Sequence, residues 1–182
     1  MKQESAPTHL DVRAFAQAAS EIAGHDLLSK YARLLEETDG QGADLIIDWV
    51  ARGELRTDEA AGEQVWLHLT VQANLPMICQ RCLGPVDMVV HVDQSFRFVG
   101  TEEAAAAQDE EAVEDVLVLS RDFNLADLIE DEVLMALPVI PCHEACPVLL
   151  PLTAVDSGFE AAGTEKRNPF AVLAKLHSGK GS

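Results

Sequence analysis

Along EQVWLHLTV, Val65, Leu67, Leu69 and Val71 alternate with Trp66, His68, Thr70 and Gln72. That is the two-residue period of a strand with one buried face. The flanking runs ADLIIDWVARGELR and VDMVVHVDQSFRFV also have strand character, and turn residues separate the three at 58–62 and 82–85. Strands that follow one another through short connections pair most simply as an antiparallel meander. Residues 44–98 are therefore expected to form the core.

Elsewhere the period is helical. Leu10, Val12, Phe15, Ala16, Ala19 and Ile22 fall mostly at three- and four-residue spacings, which predicts a short amphipathic helix ending near Gly24, and a second short helix is expected over 27–35. The stretch TEEAAAAQDEEAVED, residues 101–115, has too few large apolar groups to bury and is expected to be an acidic mobile loop or a weak helix. EDVLVLS, overlapping its end, suits one more strand. The clearest helix runs over 124–137, where Asn124 is a natural N-cap and Leu125, Leu128, Ile129, Val133, Leu134 and Leu137 form an apolar stripe. Asp127, Glu130, Asp131 and Glu132 are expected to complement the positive end of its dipole, and Pro138 stops it. Residues 157–182 are expected to be a flexible tail carrying a docking motif. This order of elements predicts one α+β domain over 1–182: an antiparallel sheet core with a short N-terminal helix and the helix near 124–137.

Charge narrows the function. The 182 residues carry 31 acidic and 13 basic side chains, a formal charge of −18. From Thr101 to Met135 twelve acids face the single Arg121, whereas the last eighteen residues hold Lys166, Arg167, Lys175 and Lys180 against only Glu165. Such an excess of acid argues against broad nucleic-acid affinity, which rests on lysine and arginine neutralising phosphates. It leaves room for a local basic contact or for attraction of a basic protein, and the plain alternative is a solvated acidic face. The first residues lack the apolar run of a signal peptide, and no stretch approaches a membrane span, so a cytoplasmic location is expected.

The four cysteines carry the strongest chemical signal. Cys79 and Cys82 form C-x2-C between two predicted strands, and Cys142 and Cys146 form C-x3-C just beyond the 124–137 helix, between Pro141 and Pro147. A structural zinc ion needs four tetrahedral ligands, and a C-x2-C turn supplies two of them from one backbone segment. Gly84 follows where such a turn would gain from a residue free to take positive φ. All four cysteines are candidate ligands, with His143 in reserve, and such a site would have no open position for substrate. Two other readings stand beside it. A redox C-x-x-C would place its first cysteine at a helix N-terminus, whereas residues 83–98 read as turn and strand. The four could also be reduced, partly buried small hydrophobes.

Signatures of catalysis are missing: there is no GxSxG, Walker A, HExxH or GxGxxG motif. No small-molecule substrate is evident, and His68, opposite the Val and Leu face, reads as a solvated or satisfied histidine. One combination is nevertheless distinctive. ICQRCLGPV, then an acidic stretch, then NLADLIEDEVLMALPVIPCHEAC, then RNPFAVLAKL together resemble the YceD family, the bacterial large ribosomal RNA subunit accumulation proteins. The resemblance runs from about Leu10 to His177. It implies a non-enzymatic role in accumulation of 23S ribosomal RNA and biogenesis of the large ribosomal subunit. The partner would be that RNA or a large-subunit ribosomal or maturation protein; the alternative is a zinc-stabilised protein-interaction module with no RNA contact. By position, Cys79, Arg81 and Cys82 match the first motif and Asn168, Pro169 and Phe170 match the tail motif. Arg81 and the tail, with Arg167 beside that motif, are the expected contacts for RNA or a partner.

Overall fold

The alternation of β3 (Gly62–Ile78) sets the architecture. Val65, Leu67, Leu69, Val71, Ala73 and Leu75 are all buried, so one face of the strand is a continuous apolar strip. The computed structural model describes residues 5–58, 62–109 and 112–148. Among them β3 lies at the centre of a five-stranded sheet, flanked by β1 (Glu21–Leu27), β2 (Ile46–Asp58), β4 (Pro85–Val99) and β5 (Asp115–Val118), in chain order. The first four pair antiparallel, as the expected meander, and β5 joins β4 in parallel. In register, Leu67 faces Phe96 and Val71 faces Val92, so apolar residues meet across the strands on the buried side. The fold is α+β, with mostly antiparallel strands.

Helices cover that one face. They are α1 (Val12–Gln17), α2 (Ala32–Glu37) and α4 (Leu125–Ala136), whereas α3 (Glu102–Asp109) lies beside β4 and β5 and is tied to Arg97 and Val116. Of the two forms expected for the alanine-rich acidic stretch, the chain adopts the helix, α3. Val12, Phe15 and Ala16 of α1, Leu34 of α2, and Leu125, Ile129 and Val133 of α4 join the sheet residues in one core. α1 lies so close to β2 that a methyl group on Gly53 would come within 2.8 Å of the Ala16 Cα. Only glycine admits that approach. Residues through Cys146 make one compact unit, and Pro147–Ser182 are assigned to a second. The expected tail, with Arg167, Asn168, Pro169 and Phe170, lies outside the described residues.

The N-terminal third departs from the predicted pattern. The helix expected to reach Gly24 ends at Gln17, and residues 21–27 form the edge strand β1 instead. Ser20 O accepts from Gly53 N, and Gly24 pairs with Trp49, so the chain leaves α1 directly into pairing with β2. Ile22 fits the helical spacing equally well, and tertiary pairing decided the outcome. The second expected helix is a 3₁₀ turn at Leu28–Lys30 followed by α2.

α2 lacks a side-chain cap of its own: its N-cap residue, Tyr31, makes none. The cap comes from another helix. Glu130 of α4 accepts Arg33 N at 2.7 Å and Leu34 N at 3.3 Å through one carboxylate oxygen, and the Arg33 guanidinium at 2.9 Å through the other. Asp131 binds the same guanidinium. Glu130 and Asp131, expected to serve their own helix dipole, are thus engaged by α2. Asn124 does cap α4 as predicted, accepting Ala126 N and Asp127 N. Removing the Glu130 carboxylate strands two backbone donors and leaves the Arg33 guanidinium to Asp131 alone. Glu130→Ala is expected to lower unfolding stability by about 2 kcal/mol in urea titration, with Glu130→Gln recovering part of the loss.

Glu132 is buried on the same helix, and among the described residues no hydrogen bond or ion pair reaches it. Burial, with the nearby charges of Asp115 and then Asp131, raises its pKa above the ordinary glutamate range. The folded state therefore holds this proton at a pH where the unfolded chain has released it, and stability falls as pH rises through that window. Glu132→Gln should be more stable than the native chain at pH 7, and the gain should vanish near pH 4, as read from chemical denaturation at the two pH values.

Candidate metal centre

β3 ends at Ile78, and the six residues that follow close a tight knuckle before β4. Cys79 N donates to Gly84 O at 2.9 Å and Leu83 N donates to Cys79 O at 2.8 Å. The positive φ that such a turn needs falls on Leu83, at 57°, rather than on the expected Gly84. Gly84 instead lies against the Cys82 sulfur, where an added Cβ would be 3.6 Å from it. The segment beyond α4 is tied to this knuckle by backbone, since Gln80 N donates to Pro141 O at 2.8 Å. A side chain adds a second tie, the Arg81 guanidinium donating to the His143 carbonyl. Arg81, expected to be a free contact for RNA or a partner, is exposed and also braces the site.

Four side chains converge there. The ligand atoms of Cys79, Cys82, His143 and Cys146 all lie within 4.8 Å of one another. Cys79 Sγ is 4.0 Å from Cys146 Sγ, and Cys82 Sγ is 3.4 Å from His143 Nδ1. Three of the four predicted cysteines are therefore together, and the fourth place belongs to His143, the reserve ligand, with Cys142 outside the group. The sequence carried a signal for this: His143 and Cys146 repeat the two-residue gap of Cys79 and Cys82, whereas Cys142 and Cys146 do not.

The donor set fits a tetrahedral ion. With Zn–S near 2.3 Å and Zn–N near 2.0–2.1 Å, tetrahedral angles put sulfur atoms about 3.8 Å apart and sulfur about 3.6 Å from nitrogen. The Cys79–Cys146 and Cys82–His143 separations, 4.0 and 3.4 Å, fall close to these values. At 4.0 Å the two sulfurs are far from the roughly 2.05 Å of a disulfide, and all four cysteines are free thiols.

Electrostatics point the same way. Burial alone would raise the Cys79 thiol, but the backbone N–H groups of Cys82, His143 and Arg81, together with the His143 side chain, favour its thiolate and bring it down to about 5. Cys146 moves the opposite way, to about 11, through burial and its contacts with the Cys82 and Cys79 sulfurs. A divalent ion at the centre would offset the burial and mutual sulfur contacts that raise Cys146. A depressed Cys79 pKa is also what a redox cysteine would show. Here, however, Cys79 follows a strand rather than opening a helix, and it is fully buried, whereas reactive thiols are partly exposed.

The knuckle, α4 and the segment that follows it as far as Cys146 all lie within a stretch that one family matches. Residues 67–177 match the family described as "Large ribosomal RNA subunit accumulation protein YceD". The chain belongs to the YceD family. A curated protein from Haemophilus influenzae, "Large ribosomal RNA subunit accumulation protein YceD", is 34% identical over 116 residues, which covers 58% of this chain and 62% of that protein. No solved structure matches the chain. Among the described residues no helix is long and apolar enough to cross a membrane. The region matched to the YceD family includes all four residues of the cluster.

Elemental analysis of untagged protein is expected to find about one equivalent of zinc per chain. Cys146→Ser and His143→Ala should fall below about a fifth of an equivalent, while Cys142→Ser keeps its metal. Loss on Cys142→Ser with retention on His143→Ala would restore the four-cysteine set.

Proposed function

We propose that this chain is a non-enzymatic factor that supports accumulation of 23S ribosomal RNA and assembly of the large ribosomal subunit. One structural zinc ion would be held by Cys79, Cys82, His143 and Cys146. The observation that carries the reading is the family match over 67–177, which takes in the central strands, the knuckle and α4. Four protein ligands leave a zinc ion no open coordination position, so its role would be to lock the β3–β4 turn onto the chain beyond α4. That lock fixes Arg81 and the exposed Leu83 at one end of the sheet. Contact with ribosomal RNA or a large-subunit protein would run through Arg81 and the tail residues Arg167, Asn168, Pro169 and Phe170. With a formal charge of −18, any RNA contact must be local and strongly salt-dependent.

The same charge, and the engagement of Arg81 with His143, favour a second reading: an interaction module that reaches the ribosome through protein alone. Deleting the gene in its host should lower the ratio of 23S to 16S ribosomal RNA. The native chain should restore it, and the metal-deficient Cys79→Ser variant should not. An unchanged ratio on deletion overturns the proposal. Crosslinking in cells separates the two readings, since recovery of ribosomal RNA no better than from an unrelated acidic protein leaves the protein-only route.

A further inference from the structure

Beside the knuckle, a groove of about 490 Å³ opens between the C-terminal end of α4, the end of β3 and the C-terminal end of α2. Met77, Leu134 and Leu137 contribute its apolar surface, and Val139, 96% exposed, stands at its wall. Gln80 and Pro141, the two residues joined by the backbone hydrogen bond that ties the knuckle to the later segment, also line it. The cluster of Cys79, Cys82, His143 and Cys146 therefore braces one side of the groove.

The charge of the groove is as distinctive as its shape. Glu37 and Asp39 lie on the α2 side, and no lysine, arginine or histidine lines it. Glu37 is the last residue of α2, whose final turn carries no basic group. Acids at a helix C-terminus oppose the negative end of the dipole, where cations are favoured. Among the described residues neither Glu37 nor Asp39 has an ion-pair partner. The α2 carbonyls are satisfied within its own cap, by Thr38, Asp39 and Gly40 N–H groups, so the fold leaves two uncompensated carboxylates beside a cleft of mixed polar and apolar lining.

We infer that this groove docks a protein segment that combines an apolar anchor with lysine or arginine. Apolar surface from Met77, Leu134, Leu137 and Val139 takes the anchor, and the Glu37 and Asp39 carboxylates take the cation. A nucleic acid is disfavoured because its phosphates would meet the same carboxylates. A second copy of this chain is disfavoured by the repulsion of two bodies of charge −18. The inference goes beyond the ribosomal reading, since it stands on the groove whether or not RNA is touched.

The test uses the full chain and a fluorescent helical peptide with leucines on one face and lysines on the other, read by anisotropy. Three further probes accompany it: a peptide with glutamate for lysine, one with serine for leucine, and a single-stranded RNA of similar length. The lysine–leucine peptide should bind best, and Glu37→Lys and Val139→Asp should each weaken it about tenfold. Glu37→Lys improves the charge at the end of α2, so lost folding does not explain that result. Glu103→Lys on α3 makes the same change in net charge away from the groove and should leave binding unchanged. Equal weakening by Glu103→Lys, equal binding of the serine peptide, or RNA binding lost on Val139→Asp and tighter than the peptide's would each overturn the inference.

Discussion

The helices that cover this sheet are too short to stand alone. α1 and α2 have six residues each and α4 has twelve, whereas an isolated helix below roughly 12–15 residues is marginal in water. Their stability must come from packing and from polar ties made across the core. Asp26 is the densest of these ties. Its carboxylate, 1% exposed, accepts Ala6 N at 2.9 Å, the Trp49 indole at 2.9 Å, the Tyr31 hydroxyl at 3.1 Å and the Lys30 ammonium at 2.6 Å. Burial alone would raise its pKa, and donation from Lys30, Ala6 N, Ser5 and Trp49 outweighs burial and lowers it. One side chain thereby joins the N-terminal segment, the approach to α2, and β2. Glu130 repeats the principle between α2 and α4, with a carboxylate of one helix completing the first turn of another.

The metal centre follows from the same economy. A central strand joined to the next by a six-residue turn cannot by itself hold the chain that leaves α4 at Pro138. Two donations, Gln80 N to Pro141 O and Arg81 to His143 O, bring the second pair of ligands to the first. The cluster, the knuckle and the adjoining groove are therefore one construction, in which Gln80 and Pro141, neighbours of the clustered side chains, also line a cleft. The other face of the sheet shows what an ordinary polar surface looks like here. There His68 is satisfied by Glu54 at 2.7 Å and Ser95 at 2.8 Å, and Trp66 is covered by the Arg56 guanidinium 4.2 Å from its ring. That matches the satisfied histidine read from the alternation of its strand.

Much of this fold is legible in the order of residues. The two-residue period from Val65 to Val71 gave the central strand, its buried face and its neighbours, because burial of one face leaves its mark on every second residue. Asn124 and Pro138 bounded α4 because capping and the missing proline donor act within a few residues. The pairs of cysteines pointed to a shared centre, since ligand chemistry restricts residue type and spacing. The order of motifs gave the family.

Local signals failed where partners are distant in sequence. Ile22 suited helix or strand, and only pairing of Ala23 with Val50 and Gly24 with Trp49 made it β1. Glu130 reads as a dipole partner in sequence, and its role as the α2 cap depends on residues almost a hundred positions away. His143 and Cys142 are adjacent, so either could serve as a ligand by composition; the direction of the backbone beyond Pro141 selected the histidine. The sequence by itself determined which residues seek burial, which turns can form and which side chains can bind metal, because those properties reside in single residues and short spacings. The tertiary structure alone decided which of them meet, because that choice rests on the path of the whole chain around a sheet with one apolar face.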